Sequence, residues 1–343
     1  MTKKLPQLTF INRQKEQKYL KNYFDSIPNA ILFLYGPKSC GKTTLIEKVI
    51  NNLEEKKYAT NYINLRGTII ENFNSFLNIF FQENSNKGVL QAITLNIGFF
   101  KLNLKDRKIF EKNPFKIMED QLRKINEKGI KPIIIIDEIQ NLKSIYMNGD
   151  RRLLDELFSF FIRLTKETHL ANIVLATSDS YFIEEIYNSV KLEKTSEFYL
   201  VDHLKKSDIL EWLTNYKEYN FSKKQVDYIY NYLGGSPWEI QQILVEIKNG
   251  ETVEKSIEKR IKILKGKIYD FYEDQLNKKQ QVIFKKISKE IAKKGFYKRI
   301  SGEKIFKLIK IAIEKDFWFY EASEQKIIAN SRSLEHVFGK IFT

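Results

Sequence analysis

Apolar residues in the first two-thirds of the chain fall into short unbroken runs separated by amphipathic stretches. Ala30 to Tyr35, Ile133 to Ile136 and Asn172 to Thr177 are continuous runs bounded by breakers or charges, the pattern of strands buried on both faces of a parallel sheet. Asn61 to Leu65 and Phe198 to Val201 read as two more strands of the same kind. Between them the spacing predicts helices from Lys42 to about Leu53, over 71–83 and 114–128, and over 150–168. The last of these carries Leu153, Leu154, Leu157, Phe160, Phe161 and Leu164 at helical spacing. Strand and helix in alternation indicate an α/β fold, a parallel sheet with helices on both faces. One interruption is expected: Val89 to Leu104 alternates around Asn96-Ile97-Gly98, which predicts an inserted β-hairpin near 89–104.

After Ser207 the pattern turns wholly helical, at 207–215, 222–233, 237–248 and 251–264, and predicts a small helical lid. From Gly266 a third module follows. Helices at 277–294 and 303–315 precede two short strands, 317–321 and 326–329, and a closing helix, the order of a winged helix–turn–helix. The expected division is therefore a sheet-containing core over 1–203, a lid over 204–265 and a winged-helix domain over 266–343.

Composition narrows the setting. No apolar run approaches ~18 residues, so no membrane span is expected, and the N-terminus lacks the apolar stretch of a signal peptide. The one cysteine, Cys40, excludes an intrachain disulfide and fits a reducing, cytoplasmic location. Residues 251–343 hold 22 Lys and Arg against 13 Asp and Glu, so more than half of the formal charge of +15 sits in the last quarter of the chain. That excess suits a phosphate backbone; a lysine-rich solvated face is the competing reading.

The chemistry is concentrated in two segments. Gly36-Pro37-Lys38-Ser39-Cys40-Gly41-Lys42-Thr43-Thr44 matches the P-loop pattern in full, directly after a strand and before a helix. In such a loop, backbone N–H groups converge on phosphate oxygens and the helix N-terminus adds favourable partial charge. Lys42 is expected to reach the β- and γ-phosphates of ATP, the Thr43 hydroxyl to ligate Mg²⁺, and Thr44 to bond near the α-phosphate. The second segment, Ile133 to Glu138, is an apolar strand ending in two carboxylates. It places Asp137 beside the metal and Glu138 where it would polarise the attacking water. At the end of the next strand, Ser178, or Thr177 beside it, would contact the γ-phosphate or hold the water; helix N-capping by Ser178 or Asp179 is the equal alternative. Cys40 fills a small-residue position or acts as a redox switch. His169, His203 and His336 show no metal-ligand spacing and read as ordinary structural or surface residues.

With both motifs placed, the chain resembles the archaeal ATPase family of the AAA+/STAND class. The resemblance includes Phe10 to Leu20, similar to a lead-in helix beside the adenine and carrying Arg13, and Ile63-Asn64-Leu65-Arg66-Gly67 and Asn113-Pro114-Phe115. It also includes Ile136-Asp137-Glu138-Ile139-Gln140 and Gly234-Gly235-Ser236-Pro237 in the lid. It implies a P-loop AAA+ core, a helical lid and a C-terminal winged helix. Two departures matter. Trp238 stands where many AAA+ proteins carry a lid arginine that contacts the γ-phosphate. No arginine lies between Arg163 and Arg260, which leaves the usual place of a trans-acting arginine finger without one. Lys191 or Lys194 would substitute only as point charges. Since an arginine finger is worth ~10³–10⁵ in rate, slow turnover is expected, as in a nucleotide switch.

In the third module Ile305, Leu308, Ile309, Ala312 and Ile313 are expected inward, with Lys304, Lys307, Lys310 and Lys315 on the outer surface of a recognition helix. Lys298 and Arg299 before it, and Arg332 after the wing, are placed to meet phosphates of double-stranded DNA, while Glu324 at the wing tip opposes this. Lysines favour backbone contacts over base reading. The alternative is a module that packs against the core or a protein partner, in a signalling ATPase whose ATP state controls self-association.

Overall fold

The computed structural model describes residues 11–83, 99–102, 113–147, 151–298 and 306–342. The core opens with α1 (Gln14–Asp25), β1 (Ile31–Tyr35), α2 (Lys42–Asn51), β2 (Tyr58–Asn64) and α3 (Phe73–Phe80). Two residue pairs, β3 (Gln82–Glu83) and β4 (Lys101–Leu102), run parallel to each other. The hairpin expected near 89–104 lies almost entirely outside the described residues. Then come α4 (Pro114–Asn126), β5 (Lys131–Asp137), α5 (Leu153–Ile162), β6 (Asn172–Thr177), α6 (Ser180–Tyr187) and β7 (Ser196–Leu200).

The five long strands form one parallel sheet in the order β2-β5-β6-β1-β7. Period-two alternation sorts its side chains. Leu32, Leu34, Ile133, Ile135, Val174 and Ala176 pack on one face with Leu20, Phe24, Leu45 and Ile46 of α1 and α2. Ile31, Phe33, Ile134, Ile136, Ile173 and Leu175 fill the other face with Leu157, Phe161 and Phe182. Because β1, β5 and β6 are covered on both sides, each carries at least four consecutive apolar residues in place of an apolar–polar alternation. Register aligns the strand ends: Tyr35 pairs with Thr177 and Leu200, Asn64 with Asp137, and Asp137 with Ala176. The residues that follow β1, β2, β5 and β6 therefore gather at the carboxyl edge of the sheet, where open α/β folds bind ligands.

The lid comprises α7 (Lys206–Thr214), α8 (Lys223–Leu233), α9 (Pro237–Lys248) and α10 (Val253–Asp270). Their starts are written in the sequence. Ser222 and Gln225 form a capping box, Ser236 caps α9 ahead of Pro237, and Thr252 caps α10. The helix expected to end near Leu264 instead runs to Asp270, straight through Gly266. Leu264 and Ile268 bury one face of this extension, and packing of that stripe outweighs the ~1 kcal/mol helix cost of one glycine. The third module is α11 (Lys278–Lys294), β8 (Tyr297–Lys298), α12 (Phe306–Glu314), β9 (Trp318–Glu321), β10 (Lys326–Ala329) and α13 (Arg332–Phe342), with the strands in the antiparallel order β8-β10-β9.

This module is docked on the core. The cluster of buried residues that fills one sheet face continues through the lid to Phe284, Trp318, Val337 and Phe342. Phe319 stacks on Tyr35 at the end of β1, with ring centroids 6.3 Å apart and planes 13° from parallel. The Tyr320 N–H donates to Ser180 Oγ at 3.0 Å. Lys310 Nζ lies 5.2 Å from the ring centroid of Tyr181, and Lys38 of the P-loop pairs with Asp316 at 2.7 Å.

Candidate functional site

The turn after β1 is built by close approach. A Cβ on Gly36 would stand 2.0 Å from the Val201 carbonyl oxygen, so only glycine lets the loop leave the sheet there. Gly41 sits at φ +97° with open space around it, and α2 starts at the next residue. Lys42 is buried and curls into the loop, its ammonium donating to the Gly36 and Pro37 carbonyls at 2.9 and 3.0 Å. Arg13, also buried and at φ +64°, donates to the Cys40 carbonyl at 2.6 Å and pairs with Glu16 at 3.0 Å. It braces the loop backbone from outside. Cys40 is fully buried, in keeping with a packing role.

Across the loop, Thr43 Oγ1 donates to Asp137 Oδ2 at 2.6 Å. The two oxygens that the sequence assigns to a metal are thus side by side. They fit Mg²⁺, which takes one or two protein oxygens and completes its shell with water and phosphate. Burial raises the Asp137 pKa above the ordinary carboxylate value, partly offset by the Thr43 hydrogen bond. Nearby Glu47 is pushed up by burial and then by the charge of Asp137.

Glu138 occupies the left-handed region at φ 60°, directly after the strand. Its carboxylate is held from three sides, by the Arg66 guanidinium, by the Gln140 amide and by Ser178 Oγ at 3.4 Å. Gln140 is oriented in turn by Thr177 Oγ1, which donates to its Oε1 at 2.6 Å. Ser178 therefore faces the carboxylate, while the helix cap is Asp179, whose Oδ1 accepts the Phe182 N–H at 3.0 Å.

A cavity of about 310 Å³ opens over these groups. Ser39, Cys40, Gly41, Lys42, Thr43 and Thr44 form its floor, with Glu138, Ser178 and Arg66 at one end and Arg13 beside the loop. Ile11, Leu204 and Pro237 supply apolar walls, and Trp238 and Gln241 of α9 close the top. Gly36, Pro37 and Lys38 lie outside this lining, the first two engaged with Lys42 and Lys38 turned to Asp316.

Arg66 was assigned no role from sequence. Its signals were its place two residues past β2, the strand that flanks β5, and its inclusion in the Ile63–Gly67 stretch of the family resemblance. Lys191 is spent on the Asp155 carbonyl at 3.1 Å and on Ser159, and does not line the cleft. Trp238 does line it, and Arg260 stacks on the Trp238 ring at 4.8 Å.

The expected DNA-facing residues that the structure describes, Lys298, Lys307, Lys310 and Arg332, are all at the surface. Lys298 and Lys307 are exposed. Lys310 is exposed, on the outer surface expected for it, with its ammonium near the Tyr181 ring because β9 and the helix before it pack on α6. Arg332 donates to the Asn231 carbonyl at 3.4 Å. Arg299 and Lys304 lie outside the described residues.

The profile of a family described as an ATPase domain predominantly from Archaea matches residues 10–243. The chain belongs to this archaeal ATPase family. The match spans the P-loop, the Asp137-Glu138 strand and the lid through most of α9. An uncharacterized ATP-binding protein of Methanocaldococcus jannaschii is 39% identical over 322 residues, covering 92% of this chain and 93% of its own. Another, from Pyrococcus abyssi, is 32% identical over 278 residues, covering 76% and 80%. Among solved structures, a Walker-type ATPase of Pyrococcus abyssi superposes with a TM-score of 0.63 at 15% identity, covering 96% of both chains. The ADP form of the Aeropyrum pernix ORC2 protein gives 0.51 at 12% identity, covering 100% of this chain and 96% of that one. These likenesses establish a P-loop ATPase fold that extends beyond the family match into the third module.

Proposed function

We propose that this archaeal ATPase is a cytoplasmic nucleotide switch that binds and slowly hydrolyses Mg·ATP and signals through its C-terminal winged helix, whose target is double-stranded DNA. The observation that carries the reading is the convergence of Thr43, Asp137 and Glu138 over the P-loop. Lys42 would leave the Gly36 and Pro37 carbonyls for the β- and γ-phosphates. Thr43 and Asp137 would hold Mg²⁺, which neutralises charge on those phosphates. Glu138, with Ser178 beside it, would orient the attacking water and accept its proton. Slow turnover follows because both oxygens of Glu138 are already engaged and, among the described residues, the arginines that line the cleft are Arg13 and Arg66, each already paired.

The output is the docking of the winged helix. Lys38 of the loop and Ser180 after β6 both hold it, so events at the nucleotide cleft bear directly on the module. Its basic charge and exposed Lys298 and Lys307 support a phosphate backbone as the target. A specific observation favours the second reading: the helix that carries Lys310 packs on α6 of the core, so part of this module already makes a protein contact. In that case the chain is a STAND-type signalling ATPase whose ATP state controls self-association.

Titration of the full chain with duplex DNA, with and without a non-hydrolysable ATP analogue, separates the two. Binding that differs between nucleotide states and falls steeply with salt supports DNA. No binding at low salt, with an ATP-dependent change in mass, overturns it in favour of the protein reading.

A further inference from the structure

The nucleotide cleft is divided by charge. Among the described residues, the cations that line it are Arg13, Lys42 and Arg66, all from the core. The lid contributes Pro237, Trp238 and Gln241 of α9, none of them charged. Arg260 of α10 comes close to that wall, its guanidinium 4.8 Å from the centroid of the Trp238 ring. Yet it lines a separate cavity of about 280 Å³, where the P-loop, the lid and the third module meet, which Trp238 also borders. The indole thus stands between Arg260 and the nucleotide cleft. The guanidinium is held on that far side by Glu239, which accepts its Nε and Nη2 at 3.1 and 2.8 Å.

The Trp238 ring differs from the other indoles of the chain. Trp212 and Trp318 are 7% and 1% exposed, whereas Trp238 is 42% exposed. It borders the cleft together with Ile11, Leu204 and Pro237, which makes this wall apolar. Such a wall cannot satisfy phosphate oxygens, which call for cations or N–H donors. A flat indole backed by a guanidinium suits the face of an aromatic base, because stacking needs no fixed pattern of donors and acceptors.

We propose that Trp238 is the base-stacking residue of the cleft, and that the lid consequently grips the nucleoside and is blind to the number of phosphates. The lid holds ADP as firmly as ATP, and the γ-phosphate is read by the core alone, around Lys42, Thr43 and Asp137. The difference between the two nucleotides then reaches the third module through Lys38 and Ser180, not through α9. This inference rests on the cleft being the nucleotide site, as proposed above, and adds which part of the nucleotide the lid senses.

The test titrates the full chain, in Mg²⁺, with a non-hydrolysable ATP analogue, with ADP and with tripolyphosphate, following heat and tryptophan fluorescence. Binding of the analogue to the parent is the control for the cleft itself, and its absence would overturn both readings. Trp238→Ala should weaken the analogue and ADP by the same factor, about tenfold (~1.4 kcal/mol), and tripolyphosphate not at all. Trp238→Phe should recover most of that loss. Stacking should quench the parent's fluorescence with the analogue and with ADP, and the quench should vanish in Trp238→Phe and with tripolyphosphate. An indole that only props up the lid would produce neither the quench nor the difference between nucleotides and tripolyphosphate. With the parent binding normally, the proposal is overturned if Trp238→Ala weakens the analogue more than ADP, if all three ligands lose alike, or if none does.

Discussion

Thr43 and Asp137 lie 94 positions apart in sequence, yet the hydroxyl of one donates to the carboxylate of the other at 2.6 Å. The contact exists because α2 starts at Lys42, after the turn that leaves β1, while β5 sits one strand beyond β6 in the same sheet. A buried carboxylate with a raised pKa opposes folding while it is charged. That cost is present above its folded-state pKa and fades as pH falls through it. Asp137→Asn should therefore melt at a higher temperature than the parent at neutral pH, without nucleotide or metal. The same change should lower Mg·ATP hydrolysis by about 10²-fold or more, since metal charge stabilisation is worth several kcal/mol. Melting curves and phosphate release measure the two effects on one sample. A lower melting temperature with unaltered hydrolysis would mean that Asp137 is a structural residue.

Arg66 restrains Glu138. Its side chain is 63% exposed, against 8% for Glu138, so solvent screens the pair and its worth is about 0.2–1 kcal/mol. Arg66→Ala should raise basal ATP turnover by no more than about fivefold, with affinity for the ATP analogue nearly unchanged. Steady-state kinetics decides the matter. A fall in kcat would instead assign Arg66 to the phosphates.

What the sequence made legible and what it did not follow from the range of each interaction. The P-loop and the isoleucine strand were readable because each is a local pattern: a glycine turn between strand and helix, and four apolar residues ending in Asp137-Glu138. Asp179 and Ser178 could not be told apart from sequence, since either can cap α6, and only the position of Glu138 assigns Ser178 to the cleft. Arg66 was illegible because its role depends on which strand lies beside β5. Helical spacing placed Lys310 on the outer surface, where it is exposed, but it does not say what borders that face, and here Tyr181 lies beside the ammonium. The end of α10 was misplaced because Gly266 carries a local helix penalty that the buried stripe of Leu264 and Ile268 outweighs.

Glu239 is the joint between lid and third module. It is 3% exposed, accepts Arg260 Nε and Nη2 at 3.1 and 2.8 Å, and accepts Ser333 Oγ with both oxygens at 2.8 and 2.9 Å. Glu239→Ala leaves a largely buried guanidinium without its carboxylate and the Ser333 hydroxyl with Ser331 Oγ as its remaining partner, at a cost of about 3–5 kcal/mol. Glu239→Gln keeps the shape and one acceptor and should lose less than half of that. Urea denaturation gives both values. Equal small losses would show that apolar packing alone holds the module.

The two P-loop glycines should fail differently, and the difference tests how the loop is built. At Gly36 a methyl group would lie 2.0 Å from the Val201 carbonyl oxygen and 3.2 Å from Cys40 Sγ. Val201 has no room to retreat, because its N–H is bonded to the Tyr35 carbonyl at 2.7 Å. Gly36→Ala must therefore pull β1 from the chain that follows β7, and it should unfold the core or express as aggregate. At Gly41 nothing lies within 4 Å, and the only cost is φ +97°. An L-residue pays about 1–2 kcal/mol for that backbone region. Gly41→Ala should fold, lose about that much stability in urea, and bind the ATP analogue more weakly as the loop amides tilt from their convergence. A folded Gly36→Ala protein with normal nucleotide affinity would contradict the close approach of Gly36 to Val201 on which the whole cradle rests.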